Sequence, residues 1–262
     1  MLDHERQAML AHDERHWWYR GRRRVLRVEL DRLPARAPRT LLDVGCGSGR
    51  MLEELAAFGA VSGVDPSPDA VHAACARDVA EVRQAAAEAL PFADACFDVV
   101  TCLDVLEHTL DDRLALRELR RVTRSSGWLI VTVPAYPRLW SRHDDVNGHR
   151  RRYTRAALRS VAAAAGWEVV RWTHFNAILL PPAAALRLAQ RVRAPREERS
   201  DLERTPAALN RLLEMPLVLE AALLRTGARL PAGLSLLAVL RPLRVSATRQ
   251  TPAPPERVAA PA

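Results

Sequence analysis

The chain has 262 residues, 48% hydrophobic and 27% charged, enough to bury one α/β core with an insertion and too few for two large domains. No apolar run reaches the ~18 residues of a membrane span and Met1–Arg15 is too charged for a signal peptide, so a soluble, cytoplasmic chain is expected. The 39 basic residues against 31 acidic ones, net +8, invite a nucleic-acid reading, but every one is Arg in a chain rich in Ala and Pro, so codon composition explains much of the excess. Arg also pairs readily with carboxylates, and nucleic acid is not the expected partner.

From Asp3 to Leu33, apolar Met9, Leu10, Trp17, Val25 and Leu26 recur among charges at helical spacing and Pro34 and Pro38 close the pattern, so residues 1–38 read as a helical cap. Over 39–174, short apolar runs alternate with longer helical patterns. The strand candidates are Thr40–Val44, Val61–Asp65, Val79–Gln84, Asp98–Leu103, Trp128–Val133 and Trp167–Thr173, with a helix over Thr154–Ala165 ended by Gly166. Leu234–Leu240, within 234–245, gives a seventh. Such alternation predicts an α/β, Rossmann-like, seven-stranded and mostly parallel sheet.

Residues 175–233 are too many for a plain connection and must hold structure of their own. Ile178–Arg193 reads as one helix; Thr205-Pro206 opens another whose stripe is Leu209, Leu212, Leu213, Leu219 and Leu223, with a kink at Pro216. This segment is expected to be a helical lid, a peripheral membrane contact rimmed by Arg187, Arg191, Arg193 and Arg196, or an oligomer interface. The tail 246–262 is proline-rich and expected to be disordered. Cys46, Cys75, Cys96 and Cys102 lack zinc-type spacing and read as reduced thiols.

The strongest local signal is Leu41-Leu42-Asp43-Val44-Gly45-Cys46-Gly47-Ser48-Gly49-Arg50, a strand running into a glycine turn and a helix. Glycines there let a ligand approach the backbone, and the helix start offers free amides. Asp65 ends the next strand, where a carboxylate can take both hydroxyls of a ribose. The G-x-G-x-G spacing differs from the dinucleotide pattern and argues against a dehydrogenase.

With Gly63-Val64-Asp65, Glu88-Ala89-Leu90-Pro91-Phe92, Phe97-Asp98-Val99-Val100, Asp104-Val105-Leu106-Glu107-His108 and Gly127-Trp128-Leu129-Ile130-Val131 following in order, the chain resembles the class I S-adenosylmethionine-dependent methyltransferases, of the type 11 kind, over roughly residues 15 to 175 and the last strand. The resemblance implies S-adenosylmethionine as cofactor. It implies that Asp43, Gly45, Cys46, Gly47 and Gly49 hold its methionine part, Asp65 its ribose, and Glu88, Ala89 and Leu90 its adenine. Cys102 and Leu103, at the end of the fourth strand, are expected to line the pocket. The family often has Asp where Ala86 stands, which leaves Glu88 or backbone groups to anchor the adenine.

The loop Pro134–Tyr153 leaves the carboxyl edge after the fifth strand and can face a methyl donor. His143 and His149 are the candidate catalytic bases, and Arg150, Arg151 and Arg152 with Tyr153 are candidates to hold an anionic acceptor. The alternative is that Asp144 and Asp145 pair with these arginines and lock the loop. A trio of His143, Asp144 and His149 lacks the hard oxygen ligands that would mark a metal site, and no metal is expected. Trp17, Trp18 and Tyr19 are placed over the acceptor cleft by the resemblance, with one Trp facing the cleft and the other the core, and His108 is either an acceptor contact or a surface residue. The acceptor expected is a small or lipid-linked molecule methylated at a hydroxyl or amine. The rival readings are an RNA methyltransferase, although Cys102-Leu103-Asp104-Val105 stands where amino-methylating enzymes carry an Asn/Asp-Pro-Pro-aromatic motif, and a non-catalytic donor-binding protein.

Overall fold

Strands covered by helices on both faces need no polar alternation, and the central ones here have none. In the computed structural model, which describes residues 7, 9–10, 12–34, 39–190 and 205–243, the strands are β1 (Arg39–Val44), β2 (Gly59–Asp65), β3 (Glu81–Gln84), β4 (Phe97–Leu103), β5 (Thr123–Pro134), β6 (Trp167–Phe175) and β7 (Ser235–Pro242). They pair in the order β3-β2-β1-β4-β5-β7-β6. β1 to β5 are parallel, and β7 is antiparallel to both β5 and β6. The expected mostly parallel, seven-stranded sheet is therefore present, and its strand order turns back at β1. In open sheets of this kind such a reversal, here between the carboxyl ends of β1 and β4, is where ligands bind.

The helices are α1 (Trp17–Asp31), α2 (Arg50–Ala56), α3 (Pro68–Cys75), α4 (Asp112–Val122), α5 (Arg142–Val146), α6 (Arg155–Ala164), α7 (Leu180–Gln190) and α8 (Ala207–Arg225). Ser67, Asp111 and Thr154 start α3, α4 and α6 by accepting from the amides of Ala70, Leu114 and Ala157. One apolar cluster packs Leu116, Leu119, Leu158 and Trp167 against the sheet, and the other joins Leu26 and Leu30 of α1, Leu52 and Leu55 of α2, and Leu217 and Leu224 of α8.

Three expectations are corrected. The helix expected from Asp3 to Leu33 is divided by a turn at Asp13–Arg15. The His16 ring accepts from the Trp18 amide, and Asn210 Oδ1 from α8 accepts from the Trp17 amide at 2.8 Å, so a side chain 193 residues away sets where α1 begins. On α8, Leu209, Leu212, Leu219 and Leu223 face outward and Leu213 is half-buried; the buried line is Glu214, Leu217, Glu220, Ala221 and Leu224. Two glutamates belong to that line because each is fully engaged. Glu214 pairs with Arg20 and Arg24, and Glu220 accepts from the amides of Asn176, Ala177 and Ile178 at 2.6 to 3.0 Å. Counting leucines alone rotates the inward face to the wrong side. Third, α8 lies along α1: a Cβ at Gly21 would overlap Leu217, so only glycine permits this crossing. Helix α8 is thus built into the layer over the sheet and is no free lid. Arg191, Arg193, Arg196 and the tail 246–262 lie outside the described residues.

The arginines largely behave as ion-pair partners. Arg77 bridges Glu14 and Glu53, Arg121 bridges Asp94 and Glu118, and Arg124 meets Asp98. All four cysteines are unpaired thiols.

Candidate functional site

The turn after β1 is made by backbone. Gly45, Gly47 and Gly49 have φ of 76°, 55° and 81°, a region closed to most side chains, and a Cβ at Gly45 would also strike Val105. Asp65 closes the turn from β2, its Oδ2 accepting from the Gly47 amide at 3.0 Å and its Oδ1 from the Ser67 amide at 2.9 Å. Beneath them, Asp43 is buried and accepts from Thr101 at 2.6 Å; burial outweighs that bond and lifts its carboxyl to about 7.

The N-terminal segment covers this turn. Asp13 bonds the Ser48 hydroxyl, and Arg22 of α1 reaches Asp104, just past β4, at 2.6 Å. Two buried polar atoms there have no partner among the described residues, Asp13 Oδ1 and Arg22 Nε. Neither residue stood among the sequence candidates. Trp17 and Trp18 are half-buried and both pack against the α1–α8 cluster, and Trp18 stacks on Phe175 at 5.6 Å. Tyr19 is the aromatic beside Arg22.

Several expected cofactor residues have other work. The side chains of Cys46 and Cys102 sit in the two apolar clusters, and burial pushes both thiols up. Leu103 is likewise core. Glu88 accepts from the Leu110 amide at 3.0 Å, Leu90 is buried, and Ala89 is exposed.

The loop after β5 is made by side chains. Asp144 is wholly buried; its Oδ1 meets Arg152 Nε at 2.7 Å and His149 Nδ1 at 2.8 Å, and its Oδ2 accepts from the Ser141 amide at 2.8 Å. Burial alone would raise this carboxyl, but the His149, Arg152 and Ser141 bonds hold it well below the usual range. Arg152 also donates to the Ala135 carbonyl, Arg151 pairs with Asp112 at 3.0 Å, and the buried Tyr153 hydroxyl donates to Asp112 at 2.7 Å. Arg152 thus pairs with Asp144 as the alternative had it, while Arg151 and Tyr153 are held by Asp112, a partner outside that alternative. Asp145 instead accepts from Trp140, and Arg150 is exposed, donating to the His108 carbonyl. His143 is exposed, its ring 6.1 Å from that of His149. With Asp144 saturated, His143, Asp144 and His149 do not converge as ligands.

A different group converges. His149 lies edge-on to His108, ring centres 4.9 Å apart, and Glu107 is buried beside them. Burial, then the His149 ring, lower His108 to about 4, and burial with the Asp104 charge raises Glu107. Glu107 was in view within its sequence block but given no role. The concavity of about 230 Å³ lined by Arg155, Leu158, Trp172 and Arg229 shares no residue with this edge.

A methyltransferase-domain family model matches residues 42–131. The chain is 32% identical to the demethylmenaquinone methyltransferase of Mycolicibacterium paratuberculosis over 62% of its own length and 86% of the relative's. The chain belongs to the S-adenosylmethionine-dependent methyltransferases. It is also 41% identical to the ubiquinone biosynthesis O-methyltransferase of Azorhizobium caulinodans, over 36% of this chain and 39% of that one. It spans between 39% and 62% of the length of the relatives with that name. A methyltransferase of Haloferax volcanii, solved in complex with the activator Trm112, shares the fold with a TM-score of 0.59 and 21% identity, covering 91% of this chain and 93% of that one. Among the described residues no helix is long and apolar enough to cross a membrane.

S-adenosylmethionine is the cofactor of this methyltransferase family, and the residues at the turn fit it. The glycines leave the backbone open to a ligand, while the unpartnered Arg22 Nε and Asp13 Oδ1 offer the donor and acceptor that a carboxylate and an ammonium need.

Proposed function

We propose that this methyltransferase moves a methyl group from S-adenosylmethionine to a hydroxyl of a small, lipid-tailed acceptor of the hydroquinone kind. The observation that carries the reading is the Asp144–His149 pair at 2.8 Å. Because the aspartate is held ionised, it keeps the imidazole proton on Nδ1 and leaves Nε2 with a lone pair at the carboxyl edge of the sheet, suited to take a hydroxyl proton. Names of relatives that act in ubiquinone and menaquinone synthesis support the acceptor class. The outward Leu209, Leu212, Leu219 and Leu223, with exposed Arg211 and Arg225 on the same helix, suit peripheral contact with a lipid surface.

In this reading Gly45, Gly47 and Gly49 admit the donor to the backbone, Asp65 takes its ribose, and Arg22 and Asp13 take its amino-acid end. Bound S-adenosylmethionine supplies a methyl on a sulfonium, already a good leaving group. The chain's remaining tasks are to orient the acceptor, exclude water and remove one proton. The test is to incubate the protein with donor and a short-tailed hydroquinone and follow the mass gain of one methyl. His149→Ala should lower the rate about 10²- to 10⁴-fold while leaving donor affinity unchanged. Donor binding without transfer to any hydroxyl acceptor would return the chain to the reading of a non-catalytic binder.

A further inference from the structure

Arg77, Arg121 and Arg124 are matched to carboxylates, whereas three other arginines gather where there is none. Arg155 and Arg159, one turn apart on α6, and Arg229, in the segment before β7, stand around the concavity of about 230 Å³ over β6 and β7. Among the described residues no carboxylate pairs with any of the three. Like charges at one cavity repel one another, and an anion placed between them removes that repulsion.

Two further features shape this cavity. Arg155 stands over the Trp172 ring, its guanidinium carbon 3.5 Å from the ring centre. Contact with a ring face fixes a guanidinium while its N–H edge stays open to a planar oxyanion. The second feature is in the strand. Strict alternation gives every other residue to one face, yet Val169 and Val170 both line the cavity. The register of β6 on β7 shifts between Val169 and Arg171, so Val170 is the extra residue of a bulge. The bulge widens an apolar wall to which the buried Leu158, Leu236 and Ala238 also belong.

We propose that this cavity binds a small amphipathic oxyanion, with a carboxylate or phosphate-monoester head and a body of one ring or a chain of similar size. The guanidiniums take the head through paired N–H···O bonds, and the valine, leucine and alanine wall takes the body. The volume sets the size, since it falls below the ~300 to 1,000 Å³ of sites that enclose larger ligands. Neither half explains the site alone. Arginines without the wall would serve inorganic phosphate, and the wall without arginines would serve a neutral molecule. The cavity shares no residue with the glycine turn or with the loop that carries His149, so the inference stands apart from the reaction proposed above.

The test is calorimetry on the full chain with benzoate, phenyl phosphate, benzyl alcohol and inorganic phosphate, each alone. At least one of the two aromatic anions should bind once per chain, about tenfold or more tightly than either the alcohol or inorganic phosphate, and should weaken as salt rises. Arg155→Gln combined with Arg229→Gln should weaken that binding about 10- to 100-fold, the scale of lost charge-assisted hydrogen bonds, with melting temperature and S-adenosylmethionine affinity unchanged. Val170→Asp, at an exposed position, sets a carboxylate of the chain's own against the arginines and should weaken it as well. The proposal is overturned if neither aromatic anion binds, if binding is indifferent to the arginine pair, or if the alcohol or inorganic phosphate binds equally well.

Discussion

Asp43 under the glycine turn and Asp144 in the loop after β5 are both buried carboxylates at the same edge of the sheet, yet they are driven in opposite directions. Asp43 has a hydroxyl partner, Thr101, and its carboxyl rises to about 7; Asp144 has an arginine, a histidine and a backbone amide, and its carboxyl falls. Burial is common to both, so partners decide the charge. The two regions divide accordingly. One is a backbone cradle with a carboxylate that tends to neutrality beneath it, and the other is a side-chain network organised by a fixed negative charge.

The largest expected effect breaks the second region. Asp144→Ala strands the buried Arg152 and unpins His149, and should lower unfolding free energy in urea by about 3 to 5 kcal/mol. A loss under about 1 kcal/mol would mean that the network is not what holds the loop.

A pH series sharpens the contrast, each unit of pKa difference corresponding to about 1.4 kcal/mol. Asp43 has a raised folded pKa, so its contribution is full below the unfolded value of about 4 and is lost as pH rises toward about 7. Asp144 has a depressed one, so its contribution is present above about 4 and is lost only as pH falls below that. Asp43→Asn should therefore flatten the decline of stability between pH 4 and 7, and Asp144→Asn should remove the acid-side decline. Identical profiles for the two variants would contradict the opposed charges.

The smallest effect is expected at Arg150, whose side chain is exposed and bonded to the His108 carbonyl. Arg150→Ala should change stability by no more than about 0.5 kcal/mol and leave methyl transfer at the wild-type rate. A large fall in rate at unchanged stability would restore it as an acceptor contact.

What could be read from the sequence follows the same division. The sheet and the turn at Gly45–Gly49 were legible because positive φ demands glycine and the spacing is local. The loop was half legible: histidines and arginines stood out, but that Arg151, Arg152 and Tyr153 are consumed internally depends on Asp112 and Asp144, partners that spacing does not reveal. Glu107 was passed over since a lone Glu beside a His looks like any surface pair until the fold buries it. On α8 the leucine stripe pointed to the wrong face because Arg20, Arg24 and three backbone amides draw Glu214 and Glu220 into the buried line, which leucine spacing does not reveal.

The crossing of α1 with α8 at Gly21 and Leu217 has a consequence for the order of assembly. Trp17 and Asn210 are 193 residues apart, so during synthesis at about 5 to 20 residues per second the first helix waits roughly 10 to 40 s for the partner that fixes its start. Arg22 and Asp13, carried by that segment and its lead-in, arrive over the glycine turn only with it. A nascent chain ending after β6 can pair the first five parallel strands yet lacks the fixed cover over the turn, so competence to hold the donor is acquired late, when the α8 sequence emerges.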